Sequence, residues 1–161
     1  MKKYLFLDFD GVCNRVGDGS YMSYAETGRY GLSTYCCTQI RRICEETGAK
    51  IIISSNWRKF DDDGYWIYNG VKFNNPIRQI DGILGEFIVG TLPKIRHANK
   101  YVALIEWFKK NNIEFNDIKW AVLDDDIREE LFRCGRHYFQ TDPNIGVDEA
   151  YADKIINYLN S

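Results

Sequence analysis

The chain contains no apolar run of about 20 residues, so no transmembrane helix is expected. It contains no CxxC pair. Its five cysteines, Cys13, Cys36, Cys37, Cys44 and Cys134, are odd in number and two are adjacent. That argues against a disulfide framework and against a zinc site, and fits reduced thiols in the cytoplasm. The two histidines, His97 and His137, have no partner at ligand spacing. The first apolar run is too short for a signal peptide and ends in Asp8, so no leader is expected. There is no excess of one charge: 21 Lys and Arg stand against 23 Asp and Glu, a net of −2. Nothing in that total demands nucleic acid or a membrane, although a local basic patch can still receive a polyanion. Internal repeats and low-complexity segments are also missing. Asp61–Asp63 lacks the alternating ligands and the closing Glu of a calcium loop, and reads as a solvated turn.

What is present suits one domain spanning 1–161. Hydrophobic residues make up 45% and charged residues 27%, enough to bury a core without a covalent or metal staple. Residues 4–9 (YLFLDF) read as a buried strand interrupted by Asp8, and Asp10-Gly11 as a turn. An irregular loop follows at 13–33. Ile40, Ile43 and Cys44 have helical spacing within 34–47, with Ser33 or Thr34 as the cap and Gly48 as the stop. Residues 49–53 (AKIII) predict a second buried strand, and 83–89 another. A helix is expected over 99–111, with Tyr101, Leu104, Ile105 and Phe108 on one face. Then come a strand at 119–123, a short helix at 127–134 capped by Asp126, a strand at 137–140 and a helix at 148–160. This alternation predicts an α/β fold, a Rossmann-like three-layer α/β/α sandwich around a mainly parallel sheet.

Polar residues gather where the predicted strands end: Asp8 and Asp10, then Ser54 and Ser55, then Asp124 and Asp125. In an open parallel sheet, ligands bind beyond the carboxyl ends of the strands, so these segments can converge on one pocket. Carboxylates crowded together raise one another's pKa unless a cation sits among them. All-oxygen ligands favour Mg²⁺, which prefers a few carboxylates, waters and a substrate phosphate. A carboxylate can act as nucleophile and form an aspartyl-phosphate, while a second shuttles the proton. A hydroxyl and a lysine can hold the phosphoryl oxygens.

Residues 5–12 (LFLDFDGV) resemble the first motif of the haloacid dehalogenase (HAD) superfamily phosphatases. Residues 51–56 (IIISSN) resemble the second, and 120–125 (WAVLDD) the fourth. Lys100 best matches the lysine of the third motif, with Lys94 the alternative. The resemblance implies a Mg²⁺-dependent phosphatase with Asp8 as nucleophile and metal ligand. Asp10 would be the acid/base, with its backbone carbonyl on the metal. Asp125 would complete the metal site, with Asp124 a close second. Ser54 or Ser55, with Lys100, would bind phosphate: the strand end favours Ser54, and a Ser-Asn pair favours Ser55.

A looser resemblance rests on Ser54-Ser55-Asn56-Trp57-Arg58, the Trp-containing strand at 119–123, and Thr141-Asp142-Pro143 followed by Gly146. It is to the small HAD domains of Swiss Army Knife RNA-repair proteins, related to polynucleotide phosphatases. There Arg58 would contact a substrate phosphate. The gaps between motifs leave minimal or no cap, with room for a small flap at 59–92, so bulky substrates such as a nucleotide or nucleic-acid end would fit. Trp57, Tyr65, Trp66 and Tyr68 either pack that flap or stack on bases. The stretch Lys94, Arg96, His97 and Lys100 either lines a polyanion path or is a solvated face. Two other readings share the fold. A phospho-signalling receiver is disfavoured because its acidic pair precedes its phosphorylated Asp, whereas here DxDG comes first. A catalytically silent binding domain is disfavoured by the complete set Asp8, Asp10, Lys100 and Asp125.

Overall fold

The computed structural model describes residues 1–20, 31–55, 65–68, 71–74, 82–95 and 98–161, the two four-residue strands by their backbone alone. The first elements are β1 (Lys3–Leu7), α1 (Thr34–Thr47) and β2 (Lys50–Ile53). They are followed by β3 (Tyr65–Tyr68), β4 (Val71–Asn74) and β5 (Ile88–Thr91). The last are α2 (Lys100–Lys110), β6 (Lys119–Asp124), α3 (Glu129–Phe132), β7 (Tyr138–Gln140) and α4 (Glu149–Asn160).

Leu5, Phe6 and Leu7 are apolar at successive positions, so β1 is apolar on both faces and belongs in the middle of a sheet covered twice. It lies there. The sheet order is β5-β2-β1-β6-β7. Leu5 pairs with Ile51 on one side and Ala121 on the other, and all four pairings are parallel. Alternation along β1 divides the core. Leu5 and Leu7 pack with Ile40, Ile43 and Cys44 of α1 and with Ile155 and Leu159 of α4. Phe6 packs with Leu104, Trp107 and Phe108 of α2 and with Trp120 and Val122 of β6. The α/β/α sandwich is therefore three-layered. Phe6 meets Trp107 edge-on at 5.1 Å, and Phe108 meets Trp120 at 5.3 Å. Each such pair contributes about 0.5–1.5 kcal/mol beyond its buried area.

The helix signals are realised at their ends. Ser33 caps α1 by accepting from the Cys36 N–H, and Gly48 closes it with a φ of 73°. Asn99 caps α2 and Asp148 caps α4 in the same way. Other expectations shift. The strand expected at 83–89 starts at Ile88, because Leu84 turns inward and Gly85–Phe87 form a 3₁₀ turn. The buried stripe of α2 is Ala103, Leu104, Trp107 and Phe108, rotated from the expected face by the large Trp107. In place of a helix over 127–134 there is only the short α3. Asp126 does not cap it: its Oδ1 accepts from the Arg128 N–H at 2.8 Å in a local turn, and Arg128 occupies the cap position. Within 59–92, β3 and β4 pair antiparallel, with Tyr65 opposite Asn74.

Candidate active site

The sheet's hydrogen bonding runs one residue past the strands and fixes the backbone of the groups that follow. The Asp8 N–H donates to the Leu123 carbonyl at 3.0 Å, and the Ser54 N–H to the Leu7 carbonyl at 2.8 Å. The Thr141 N–H donates to the Asp124 carbonyl at 2.9 Å. Asp8, Ser54, Ser55 and Asp124 are buried at this edge.

Lys100, the first residue of α2 after its cap Asn99, reaches into the same place. Its Nζ lies 3.0 Å from Asp8 Oδ1 and 2.6 Å from Asp124 Oδ2. Asp8, Asp124 and Asp125 each offer a carboxylate oxygen, all within 4.8 Å of one another. A cavity of about 330 Å³ opens on Asp8, Asp10, Ser55, Lys100, Asp124 and Asp125, with Asp126, Ile127 and Arg128 completing its wall. Asp124 is largely committed: Oδ2 takes the lysine and Oδ1 accepts from the Asp126 N–H at 2.9 Å.

Burial pushes the Asp8 carboxyl up to about 7; Lys100 opposes this, and Asp124 and Asp125 add to it. Asp125 rises to about 6 through burial and then the Asp124 charge. Burial alone would lower the Lys100 ammonium, but Asp8 and Asp124 outweigh it and hold it above the usual lysine range. Two buried carboxylates, Asp8 and Asp124, thus share one lysine, with the half-buried Asp125 beside them. A hard divalent cation fits such a set, since every available donor is oxygen and the charge it would neutralise is already in place.

Three supporting residues were not singled out for the site by sequence. Asn14 Nδ2 donates to Asp10 Oδ1 at 3.0 Å and to the Gly31 carbonyl at 3.1 Å, and its Oδ1 accepts from the Gly11 N–H at 2.8 Å. Its spacing of four from Asp10 was the available signal, lost in what read as an irregular loop. Thr141, quoted only as part of a motif, donates its hydroxyl to the Gly11 carbonyl at 2.7 Å. Arg128 lines the cavity from a segment read as helix.

The candidates from sequence separate cleanly. Asp8, Asp10, Ser55, Lys100, Asp124 and Asp125 share the cavity, while Ser54 is buried outside its lining. Asp10's carboxylate stands outside the close trio and is held by Asn14. Lys94 lines a different cavity with Tyr4, Ile52 and Trp107. His137 stacks on Trp120 at 4.0 Å, a core contact. Asn56, Trp57, Arg58, Asp61–Asp63, Arg96 and His97 lie outside the described residues, as do the side chains of Tyr65, Trp66 and Tyr68. All five cysteines are buried free thiols. Among the described residues, no helix is long and apolar enough to cross a membrane.

A family model described as the HAD domain in Swiss Army Knife RNA repair proteins matches residues 4–152, which takes in every segment of the cavity. No curated protein and no solved structure matches the chain.

Proposed function

We propose that this chain, which belongs to the family of HAD domains found in Swiss Army Knife RNA repair proteins, is a Mg²⁺-dependent phosphomonoester hydrolase working through an aspartyl-phosphate on Asp8. The observation that carries the reading is the meeting of Asp8, Lys100, Asp124 and Asp125 at the adjoining ends of β1 and β6. Family membership supports a phosphatase-type hydrolase in general; the chemistry follows from these residues.

In this reading an Asp8 carboxylate oxygen attacks phosphorus, and the bond from phosphorus to the leaving oxygen breaks. Asp10 gives its proton to that oxygen, its carboxyl oriented by Asn14. Asp10 then takes a proton from the water that attacks the phosphoryl group. The phosphorus–oxygen bond to Asp8 breaks, phosphate leaves, and the Asp8 carboxylate is restored. Lys100 and Ser55 hold the phosphoryl oxygens through both steps. Asp8 and Asp125 would hold Mg²⁺ together with the Asp10 backbone carbonyl; Asp124, already bonded through both oxygens, would contribute less. Bound there, the ion would neutralise charge on the phosphoryl oxygens.

The substrate class we favour is a phosphorylated nucleotide or polynucleotide end. The family description supports it, as does the presence, among the described residues of 59–92, of only short elements such as the antiparallel pair β3 and β4. Phosphate release from an aryl phosphate with Mg²⁺, compared between wild type and Asp8→Asn, tests the chemistry; equal rates reject it. A panel of nucleotides, 3′- and 5′-phosphorylated oligonucleotides and sugar phosphates tests the substrate.

A further inference from the structure

Beside the catalytic cavity lies a second, of about 750 Å³, lined by Ile127, Arg128, Glu130, Phe132 and Arg133. The two share Ile127 and Arg128, so the second forms a groove that adjoins the first at these residues. Ile127 is 76% exposed, and Phe132, the last residue of α3 with its ring 5.6 Å from that of Tyr138, is 48% exposed, so two large apolar side chains face solvent here beside Arg128.

Arg128 is held rather than loose. Its Nε and Nη2 both bond the Asp126 carboxylate, with Nε at 2.8 Å from Oδ2. The Tyr138 hydroxyl anchors the same turn by donating to the Asp126 carbonyl at 2.5 Å. A guanidinium carries five N–H donors in a fixed fork, so this clamp sets its plane and leaves donors over for a second anion. A fixed cation beside an exposed aromatic and an exposed isoleucine matches alternating phosphate and base. Arg133, which lies over the Tyr101 ring at 5.6 Å, and Glu130 complete the wall with one charge of each sign.

We infer that this groove binds the nucleotide next to the reacting end of a single-stranded polynucleotide, with Arg128 on its phosphodiester and Phe132 and Ile127 against its base. The inference rests on the hydrolase reading for the position of the reacting phosphate, and it names residues that would make the site prefer a chain over a small phosphomonoester.

The test is binding of end-phosphorylated, fluorescein-labelled hexanucleotides to the full chain in an Asp8→Asn background with Mg²⁺, read by anisotropy and repeated with Arg128→Gln and Phe132→Ala. Each added substitution should weaken binding about fivefold or more. Arg128→Gln should also reduce the slope of log affinity against log salt by about 0.7, the share of one single-strand phosphate contact, whereas Phe132→Ala should leave the slope in place. Thermal melting of both exposed-residue variants guards against misfolding. Binding and salt slope indifferent to both substitutions would overturn the inference, whatever the turnover. Conversely, a wild type that releases no phosphate while its hexanucleotide binding still depends on Arg128 would reject the hydrolase reading and keep the groove.

Discussion

Gly11 offers a controlled test of how the site is assembled. Its φ is +71°, and a Cβ there would fall 2.3 Å from Asp125 Oδ2 and 2.7 Å from Asp125 Cγ. Gly11→Ala therefore does two things. It places a side chain in the left-handed region, at about 1–2 kcal/mol, and it forces the Asp125 carboxylate aside by roughly 1 Å to restore ordinary contact. Gly48→Ala isolates the first effect, because its φ is +73° and nothing lies within 4 Å of the added atom. Both variants should melt about 2–8 °C below wild type in EDTA. Only Gly11→Ala should then lose the Mg²⁺-dependent rise in melting temperature, since that rise scales with RT ln(1 + [Mg²⁺]/Kd). Phosphate release should fall on the order of 10²-fold for Gly11→Ala, the usual effect of displacing a reacting group by 1 Å. Differential scanning fluorimetry across a Mg²⁺ titration and a phosphate-release assay read both outcomes. If the two variants show the same melting loss, the same response to Mg²⁺ and the same rate, the assignment of Asp125 to the metal site is wrong.

Lys100→Met removes the cation shared by two buried carboxylates and should cost about 3–5 kcal/mol in urea unfolding without divalent ions; a loss below about 1 kcal/mol would mean the contacts at 3.0 and 2.6 Å contribute nothing net. Asn14→Ala should lower kcat about tenfold or more by releasing the Asp10 carboxyl, and an unchanged kcat would remove Asp10 from the acid/base role. His137 supplies the pH prediction. Burial, and then the charges of Arg136 and Lys119, hold its pKa below 6.5, against the opposing Trp120 carbonyl. The unfolded chain therefore binds this proton more readily, so the imidazole's contribution to stability falls as pH drops from about 7 through 6.5 toward the depressed folded value, opposite in sign to the raised Asp8 and Asp125 carboxyls, whose contribution grows over the same range. His137→Phe should remove that contribution, so the variant's stability relative to wild type should rise as pH drops from about 7 toward 6, and a difference independent of pH would contradict a depressed imidazole.

The frame and the cavity were legible for the same reason: both are written in short, contiguous segments. An apolar run ending in Asp8, another ending in Ser55 and a third ending in Asp124-Asp125 each carry strand and chemistry together. Parallel pairing of β1 with β2 and β6 brings those ends side by side. Features set by distance in space were harder to read. The buried face of α2 turns on Trp107 finding Phe6 and Tyr4, which periodicity within α2 does not encode. The choice of Ser55 over Ser54 for the cavity is made where β2 ends, and the two adjacent serines are identical in type. Asp126 looked like a helix cap because the helix was expected to begin beside it. Its carboxylate instead clamps Arg128, and the helix starts later. Asn14 acts through a bond back to Asp10 within a segment whose composition signals only a loop.

The charge of the cavity wall explains why these residues must work as a set. Asp8, Asp10, Asp124, Asp125 and Asp126 face it, against Lys100 and Arg128. Both cations are engaged: Lys100 is shared by Asp8 and Asp124, and Arg128 is clamped by Asp126. A phosphate entering this wall alone would meet a surplus of negative charge at short range, where partial burial weakens solvent screening. Lys100, which already holds two carboxylates, cannot offset that surplus by itself. In the hydrolase reading, a divalent cation held by the carboxylate trio would supply the missing positive charge beside the phosphate, with Lys100 left between Asp8 and the phosphoryl oxygens. The same reasoning separates the acidic residues by use. Asp124 is spent on the lysine and on the Asp126 N–H, and Asp126 on Arg128. Asp8 and Asp125 remain as the carboxylates whose protonation is raised by burial, and a bound cation would relieve both.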